Sequence, residues 1–353
     1  MSNIDSSTPS LKKIGIVRRK AINIAGQQLI KSGPLYKDKS LPLLIEPAIN
    51  DVSLISWARG SGDFINDLLL KHGGILFRGF GVKTPEEFEE FIRAVSGEAL
   101  EYRERSSPRS QISGNIYTST DYPANQSIFL HNENSYQSVW PLRIFFFCAQ
   151  AAQEGGETPI ADCRRVLERI KPEIRQRFAE KGWMYVRNFG DGFGLDWKTV
   201  FQTTDKAVVE EHCRNHEILL EWKDGDRLKT RAIRPVISKH PRTGEMTWFN
   251  HATFFHISTR EPGIRDGLLS NFKEEDLPTN TYYGDGSSIE PDTIEELREA
   301  YRQETVKFLW NNGDILLLDN MLTAHGRAPY VGPRKVLVGM SEPIRRNEVS
   351  ASL

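Results

Sequence analysis

The sequence predicts an α+β protein, mostly β, in which a β-sandwich or jelly roll is wrapped by outer helices. Two groups of short apolar runs carry that prediction, one around residues 127–148 and one around 305–340, each run of strand length and bounded by turn residues. Helix-spaced apolar residues fill 53–96 and parts of a long middle stretch. Regular alternation of strand and helix is missing, as are Gly-x-Gly-x-x-Gly and Walker phosphate loops, which sets aside a doubly wound parallel sheet.

Taken in order, residues 1–10 are polar and read as a mobile tail. Leu54, Ile55, Ala58, Phe64, Ile65, Leu68 and Leu69 stand at helical spacing, with Gly60 and Gly62 interrupting them. His72-Gly-Gly74 closes that helix, and Ile75-Leu-Phe77 reads as a short buried strand. Thr84-Pro-Glu-Glu87 is a helix start: Thr84 caps, Pro85 suits the first turn, and Glu87 can complete a capping box, with the helix running to about Ser96. The polar stretch 102–126 brings Arg103, Arg105 and Arg109 together, either as a solvated face or as an anion-binding lip. Strands follow at 127–131 and 142–148, the latter including Phe145-Phe-Phe147, read as plain core. A turn falls at Glu154-Gly-Gly-Glu157. Asp162 caps a helix that Pro172 restarts and Gly182 ends. Gly190 to Gly194 reads as a loop, 205–216 as a helix, 218–222 as a strand, 223–226 as a turn and 293–303 as a helix. The last strands are expected near 305–310, 313–319 and 334–340, with a short tail or edge segment beyond Ser341.

The 353 residues suffice for one large core with insertions or for two domains. With 39% hydrophobic and 26% charged residues the balance is that of an ordinary soluble chain. A net charge of −1 supplies no bulk field toward nucleic acid or an anionic membrane. Cys148, Cys163 and Cys213 show no metal-type spacing, and their odd number fits a reducing cytosol better than a disulfide framework. The first ten residues lack the apolar core of a signal peptide, and no apolar run approaches the roughly 18–20 residues needed to span a bilayer. The expectation is a soluble, cytoplasmic protein that binds neither nucleic acid nor membrane, with its oligomeric state open and a homo-oligomer among the options.

One constellation suggests chemistry. His131-Asn-Glu133 follows a short apolar run within the first group, and a second run, Asp314-Ile-Leu-Leu-Leu-Asp319, leads to His325. Two neutral imidazoles and one carboxylate can hold a divalent iron on one face and leave three positions open. Positions i and i+2 share one side of an extended strand, so His131 and Glu133 can reach one ion while Asn132 points away. On these residues alone the alternative is a strand-end histidine bonded to a nearby acid.

The surrounding stretches sharpen the choice. Leu76-Phe-Arg-Gly-Phe80, Gly114-Asn-Ile-Tyr-Thr-Ser119, His131-Asn-Glu-Asn-Ser-Tyr136, Gly155-Gly-Glu-Thr158, Trp248-Phe-Asn-His251 and Asp319-Asn-Met-Leu-Thr-Ala-His-Gly-Arg327 run in family order over about 50–342. Together they resemble the TauD/TfdA (taurine dioxygenase-like) superfamily of Fe(II)- and 2-oxoglutarate-dependent oxygenases, and within it the clavaminate synthase-like and SyrP-type hydroxylases. The resemblance implies a distorted double-stranded β-helix (jelly roll) with flanking helices. It implies one oxygenase domain over 16–345, with an insertion at about 165–305 between the ligand strands and tails at 1–15 and 346–353. It implies Fe(II) held by His131, Glu133 and His325, with 2-oxoglutarate and O2 as co-substrates. Arg334 would grip the distal carboxylate of 2-oxoglutarate with its planar fork, helped by the Thr158 hydroxyl. Glu133 speaks against halogenation, because related halogenases lose that carboxylate. Relatives often carry a second arginine four residues after the first; here that position is Val338, so a sulfonate gripped in that way is not expected.

The implied activity is hydroxylation of an unactivated C–H in an amino acid or amino-acid-derived substrate, free or tethered to a carrier protein, in specialised-metabolite or antibiotic biosynthesis, with succinate and CO2 released. Desaturation, cyclisation or epoxidation would use the same ligands, and a non-catalytic metal-binding jelly-roll module is the alternative of another class. Tyr117, Thr118, Ser119, Asn134, Ser135, Tyr136, Asn250 and His251 stand as substrate-pocket candidates, with packing as the other reading for each. Asp319 and Asn320 are expected to brace the turn that presents His325. His72, His212, His216, His240 and His256 complete no ligand spacing and read as structural or exposed.

Overall fold

The structure is a computed structural model that describes residues 26–101, 110–119, 122–190 and 192–349. Arg103, Arg105 and Arg109 lie outside the described residues. The chain opens with a hairpin, β1 (Ile30–Tyr36) and β2 (Lys39–Pro47), that the sequence reading did not foresee. Helices α1 (Leu54–Arg59) and α2 (Gly62–His72) then cross over to β3 (Gly74–Phe77), which lies parallel to β2. Gly60 is the C-cap of α1, and Gly73, at φ 76°, closes α2 in the left-handed conformation that a side chain disfavours. α3 (Pro85–Ser96) starts with the full capping box of Thr84 and Glu87.

Next come β4 (Gln111–Ser113), β5 (Ile116–Thr118), β6 (Ile128–His131), β7 (Val139–Gln150), β8 (Glu154–Gly155) and β9 (Ile160–Asp162). Between β9 and the final strands stand α4 (Cys163–Arg169), α5 (Pro172–Lys181), β10 (Trp183–Phe189), α6 (Trp197–Phe201), α7 (Lys206–Asn215), β11 (Ile218–Lys223), β12 (Arg227–Arg234), β13 (Ile237–Lys239), β14 (Met246–Trp248), α8 (Pro262–Asn271), β15 (Thr279–Tyr283) and α9 (Pro291–Glu304). The chain returns through β16 (Ile315–Asp319), β17 (Thr323–Arg327), β18 (Tyr330–Val331) and β19 (Lys335–Arg345).

Two sheets make the jelly roll. The major one has the order β1-β2-β3-β16-β7-β19-β5-β4, and the minor one is β6-β17-β9. The period-2 pattern of the central strands assigns each face. Phe145, Phe147, Ile315, Leu317 and Leu337 point to the helical side, where Trp57, Phe88 and Phe91 pack on them. Ile144, Phe146, Leu316, Leu318, Val336, Val338 and Met340 form the opposite face. The Phe145-Phe-Phe147 run is therefore split: two rings are core under the helices, while Phe146 turns inward and meets the His325 ring at 5.1 Å. The middle of the chain adds a four-stranded sheet, β11-β12-β10-β15, whose Trp183, Tyr185 and Tyr283 share one cluster with Tyr136 and with Trp248 of the β13-β14 hairpin.

Two expectations are corrected. The strand near 305–310 does not form; Val306 makes an isolated bridge to Ile160, and Phe308 and Trp310 are buried as loop residues. The chain beyond Ser341 is not a tail: β19 continues to Arg345, pairing Pro343 with Pro141 and Arg345 with Val139 of β7, and since β5 pairs only Leu337 and Val338 this stretch runs along the edge, the other half of the expectation. Farther along, Val349 is buried in one cluster with Trp140 and Phe249. Among the described residues no helix is long and apolar enough to cross a membrane.

Arg78, in the Leu76–Phe80 stretch, explains one of the sequence patterns. Its guanidinium forks onto Asp314, with Nη2 to Oδ2 at 2.6 Å, and the Asp314 side chain is only 1% exposed. Removing one partner of a buried pair strands the other charge. Arg78→Met is expected to lower the unfolding free energy by about 3–5 kcal/mol in urea denaturation; a loss below about 1 kcal/mol would place the pair with surface ion pairs instead.

Candidate metal centre

The two ligand segments meet in the minor sheet. His131 ends β6 and is paired directly with His325 of β17. His325 therefore sits within its own short strand, after a turn at 320–322, and not at the end of the preceding apolar strand. The extended backbone expected through Glu133 also stops early. β6 ends at His131, and Glu133 stands in a turn that Asn134 carries at φ 56°. Asn132 does point away, its Nδ2 donating to the Asn320 carbonyl at 2.7 Å and meeting Cys163 Sγ at 3.2 Å.

Glu133 Oε2 lies 3.9 Å from His131 Nε2 and 3.7 Å from His325 Nε2, and the two imidazole centroids are 4.5 Å apart. These separations are too long for hydrogen bonds. The three donor atoms all lie within 4.8 Å of one another, and among the described residues this is the one such group of His, Cys, Asp or Glu. Donors 3.7 and 3.9 Å apart fall within the roughly 4.2 Å that two ligands on one ion can span at bond lengths of about 2.1 Å. His131 Nδ1 faces the Phe129 carbonyl at 2.9 Å, so Nδ1 carries the proton and Nε2 presents its lone pair inward. The donor set thus fits a divalent ion: two imidazoles and one carboxylate, half-sealed by protein, with Glu133 only 3% exposed.

Beside the histidines a cavity is lined by Ser119, Phe146, Thr158, Arg327, Arg334 and Val336, together with His131 and His325. Arg334 donates Nε–H to the Gly156 carbonyl at 2.9 Å, and its Nη1 is 3.4 Å from Ser119 Oγ. Burial and the neighbouring Arg327 pull its pKa down to about 10, which still leaves it cationic at neutral pH. Thr158 is buried, and its hydroxyl accepts from Trp310 Nε1 at 3.2 Å. Gly156 is required here: at φ 73° it faces Arg334, whose Cδ and Nε would stand 3.0 Å from any added Cβ.

The other candidates divide. Ser119 is part of this cavity, whereas Tyr117 packs in the core cluster of β7 and β19, and the Thr118 hydroxyl accepts from Ser110 N–H. His251 is buried, its ring 5.3 Å from that of His131, with Nδ1 2.6 Å from Ser135 Oγ; burial drives its pKa well down. Tyr136 packs against His251, Tyr185 and Phe255. Asn250 braces its own turn through Val236 and Ala252 and does not line the cavity. Asn134 opens onto a separate groove shared with Gln137, Phe201, Gln202 and Met340. Sequence reasoning missed Phe254, whose ring lies 4.6 Å from His131, and Arg327. Arg327 stands two positions after His325 on the same strand, so the i, i+2 rule could have found it. Its guanidinium also holds the carbonyls of Tyr122, Pro123 and Gln126. His240 and His256 are buried and hydrogen-bonded, away from the metal cluster.

Comparison with known proteins agrees with this geometry. The profile described as "Taurine catabolism dioxygenase TauD, TfdA family" matches residues 37–341. The dapdiamide synthesis protein DdaC of Enterobacter agglomerans is 39% identical over 280 residues, covering 79% of this chain and 85% of that protein. A clavaminate synthase-like protein of Arabidopsis thaliana is 28% identical over 323 residues, covering 86% and 94%. Among solved structures, PvcB, described as an Fe, alpha-ketoglutarate dependent oxygenase from an isonitrile synthetic pathway, superposes with a TM-score of 0.54 at 16% identity, covering 92% of this chain and 96% of that one. At that identity the likeness establishes the jelly-roll fold alone.

Proposed function

The chain belongs to the TauD, TfdA dioxygenase family and is an Fe(II)- and 2-oxoglutarate-dependent dioxygenase; from that premise we propose that it hydroxylates an unactivated C–H bond of an amino acid or amino-acid-derived substrate, free or carried on a protein, in the making of a specialised metabolite. The observation that carries the site assignment is that one cavity is lined by His131 and His325, whose donors converge with Glu133, and by Arg334 and Thr158.

In this reading His131, Glu133 and His325 hold the iron. When bound, the iron couples decarboxylation of 2-oxoglutarate by dioxygen, giving succinate and CO2, to oxidation of the substrate. Arg334 pairs with the distal carboxylate of 2-oxoglutarate, and the Thr158 and Ser119 hydroxyls lie in the same cavity to share that carboxylate. Phe146 and Val336 keep the cavity wall apolar, so the ion pair forms away from bulk water. Val338 contributes no second cation, in keeping with a substrate other than a sulfonate.

The similarity to a dapdiamide synthesis protein supports a small-molecule pathway role. A succinate-release screen over amino acids, each offered free and as a carrier-protein thioester, is expected to give substrate-stimulated turnover with a product 16 mass units heavier, about one oxygen atom added. Turnover without any such product, or a product lighter by two hydrogens, would sink the hydroxylase reading.

A further inference from the structure

The turn that carries Glu133 belongs to no strand, so its peptide groups need partners from elsewhere in the fold. One side chain supplies both. Asn320 Oδ1 accepts from the Glu133 N–H at 2.8 Å, and Asn320 Nδ2 donates to the Glu133 carbonyl and to the Pro141 carbonyl, each at 2.9 Å. The amide can stand only this way round, because Nδ2 faces two carbonyls and Oδ1 faces an N–H. The bonding runs back as well, from Asn132 Nδ2 to the Asn320 carbonyl at 2.7 Å. Asn320 is fully buried, so water does not compete for these groups.

The same corner also serves the other ligand segment. Asp319 Oδ1 accepts from the N–H groups of Met321 and Leu322, each at 3.0 Å, which shapes the turn into β17 and His325. His240 lies 3.0 Å from Asp319 Oδ2 through Nε2. Its Nδ1 accepts from the N–H groups of Arg242 and Thr243, so Nε2 carries the proton and donates. The sequence reading gave both corner residues to His325; the structure gives Asp319 to that turn and sends Asn320 across to Glu133.

We propose that Asn320 is a positioning residue of the metal centre: by clamping both peptide groups of Glu133 it sets where the carboxylate stands before a metal binds. The proposal rests on the ligand assignment made above. A ligand on a free turn must be ordered at the moment of binding, and that ordering lowers affinity; a clamped turn is ordered by folding. Partners behind metal ligands typically contribute 10–100-fold to metal affinity, which sets the size of the effect to look for.

The test is anaerobic titration of metal-free protein with Co(II), followed by its d–d absorbance, with circular dichroism and thermal melting on the same samples. Asn320→Ala, and Asn320→Asp, which keeps the shape but sets a carboxylate oxygen against two carbonyls, are expected to bind Co(II) about 10–100-fold more weakly while keeping the folded signature. If Asn320→Ala does not fold, Asn320→Asp carries the comparison. Thr323→Val, which loses a buried bond to the Gly73 carbonyl from the same strand as His325, is expected to lower the melting temperature and leave Co(II) affinity unchanged. Asn320 variants that bind as tightly as the unaltered chain, with Glu133→Ala weakened, overturn the positioning role and leave the ligand assignment standing. An equal loss in Thr323→Val overturns it too, since general loosening would then explain the effect. Glu133→Ala binding as tightly as the unaltered chain overturns the ligand assignment, and this role with it.

Discussion

Glu133→Ala is expected to abolish 2-oxoglutarate consumption, both with substrate and in its absence. The carboxylate is the anionic member of the donor set, and its oxygen stands 3.7–3.9 Å from both imidazole nitrogens. Without it two neutral rings remain, and the donor set loses its one anionic member. The loss should be on the order of 10³-fold or more, equivalent to at least about 4 kcal/mol at the transition state. Two measurements check it: succinate release under saturating 2-oxoglutarate, and the weak visible charge-transfer band that Fe(II) and 2-oxoglutarate give anaerobically in the unaltered protein. Both should vanish together. A Glu133→Ala protein that hydroxylates at the unaltered rate would show that the ligand is another residue. Loss of the band with retained melting temperature would separate the site from the fold.

Arg334→Met should have the second largest effect, and a different signature. The guanidinium is mostly buried in the cavity, held by the Gly156 carbonyl and close to Ser119. Met approximates its length without the charge, so the distal carboxylate of 2-oxoglutarate would enter a buried site without its paired guanidinium. Stranding a buried charge costs about 3–5 kcal/mol, so the KM for 2-oxoglutarate should rise by roughly 10²–10⁴-fold. Co(II) affinity should be unchanged, because Arg334 is not among the metal donors. Arg334→Lys should recover only part of the loss, since a point charge lacks the planar fork. A KM within a few-fold of the unaltered protein would move the anchor elsewhere, with Arg327 in the same cavity as the nearest cation.

How much of this was legible in the sequence depends on the range of the interaction. Local devices were: the Thr84 capping box, the Asp162 cap, the Gly60 break and the helix ends at Gly73 and Gly182 all stand where the residues imply. The local code failed at 305–310, where Val306, Phe308 and Trp310 alternate like a strand but are buried as a loop. Alternation reports burial, and a strand additionally needs a neighbour to accept its ladder. Beyond Ser341 the local code was half right: Arg345 is exposed on a stretch paired only with β7, but that stretch is strand and not tail, and Glu342 is not a free surface charge. Glu342 is instead paired with Arg143 and Arg242 on the edge of the core.

By itself the sequence determined the chemistry available: a His-x-Glu pair, a distant histidine, an arginine at the head of the last strand and a Gly-Gly turn before a threonine. It also fixed the order of those parts and the fold class that could gather them. Tertiary structure decided which atoms meet. His131 and His325 are almost two hundred residues apart in the chain and directly opposed in one ladder. Glu133 stands in the turn beyond the end of β6, and Asn320, from the far end of the chain, bonds both its N–H and its carbonyl. Such contacts join segments with no local register between them, so they depend on the closed sheets around them and leave no periodic mark in the letters.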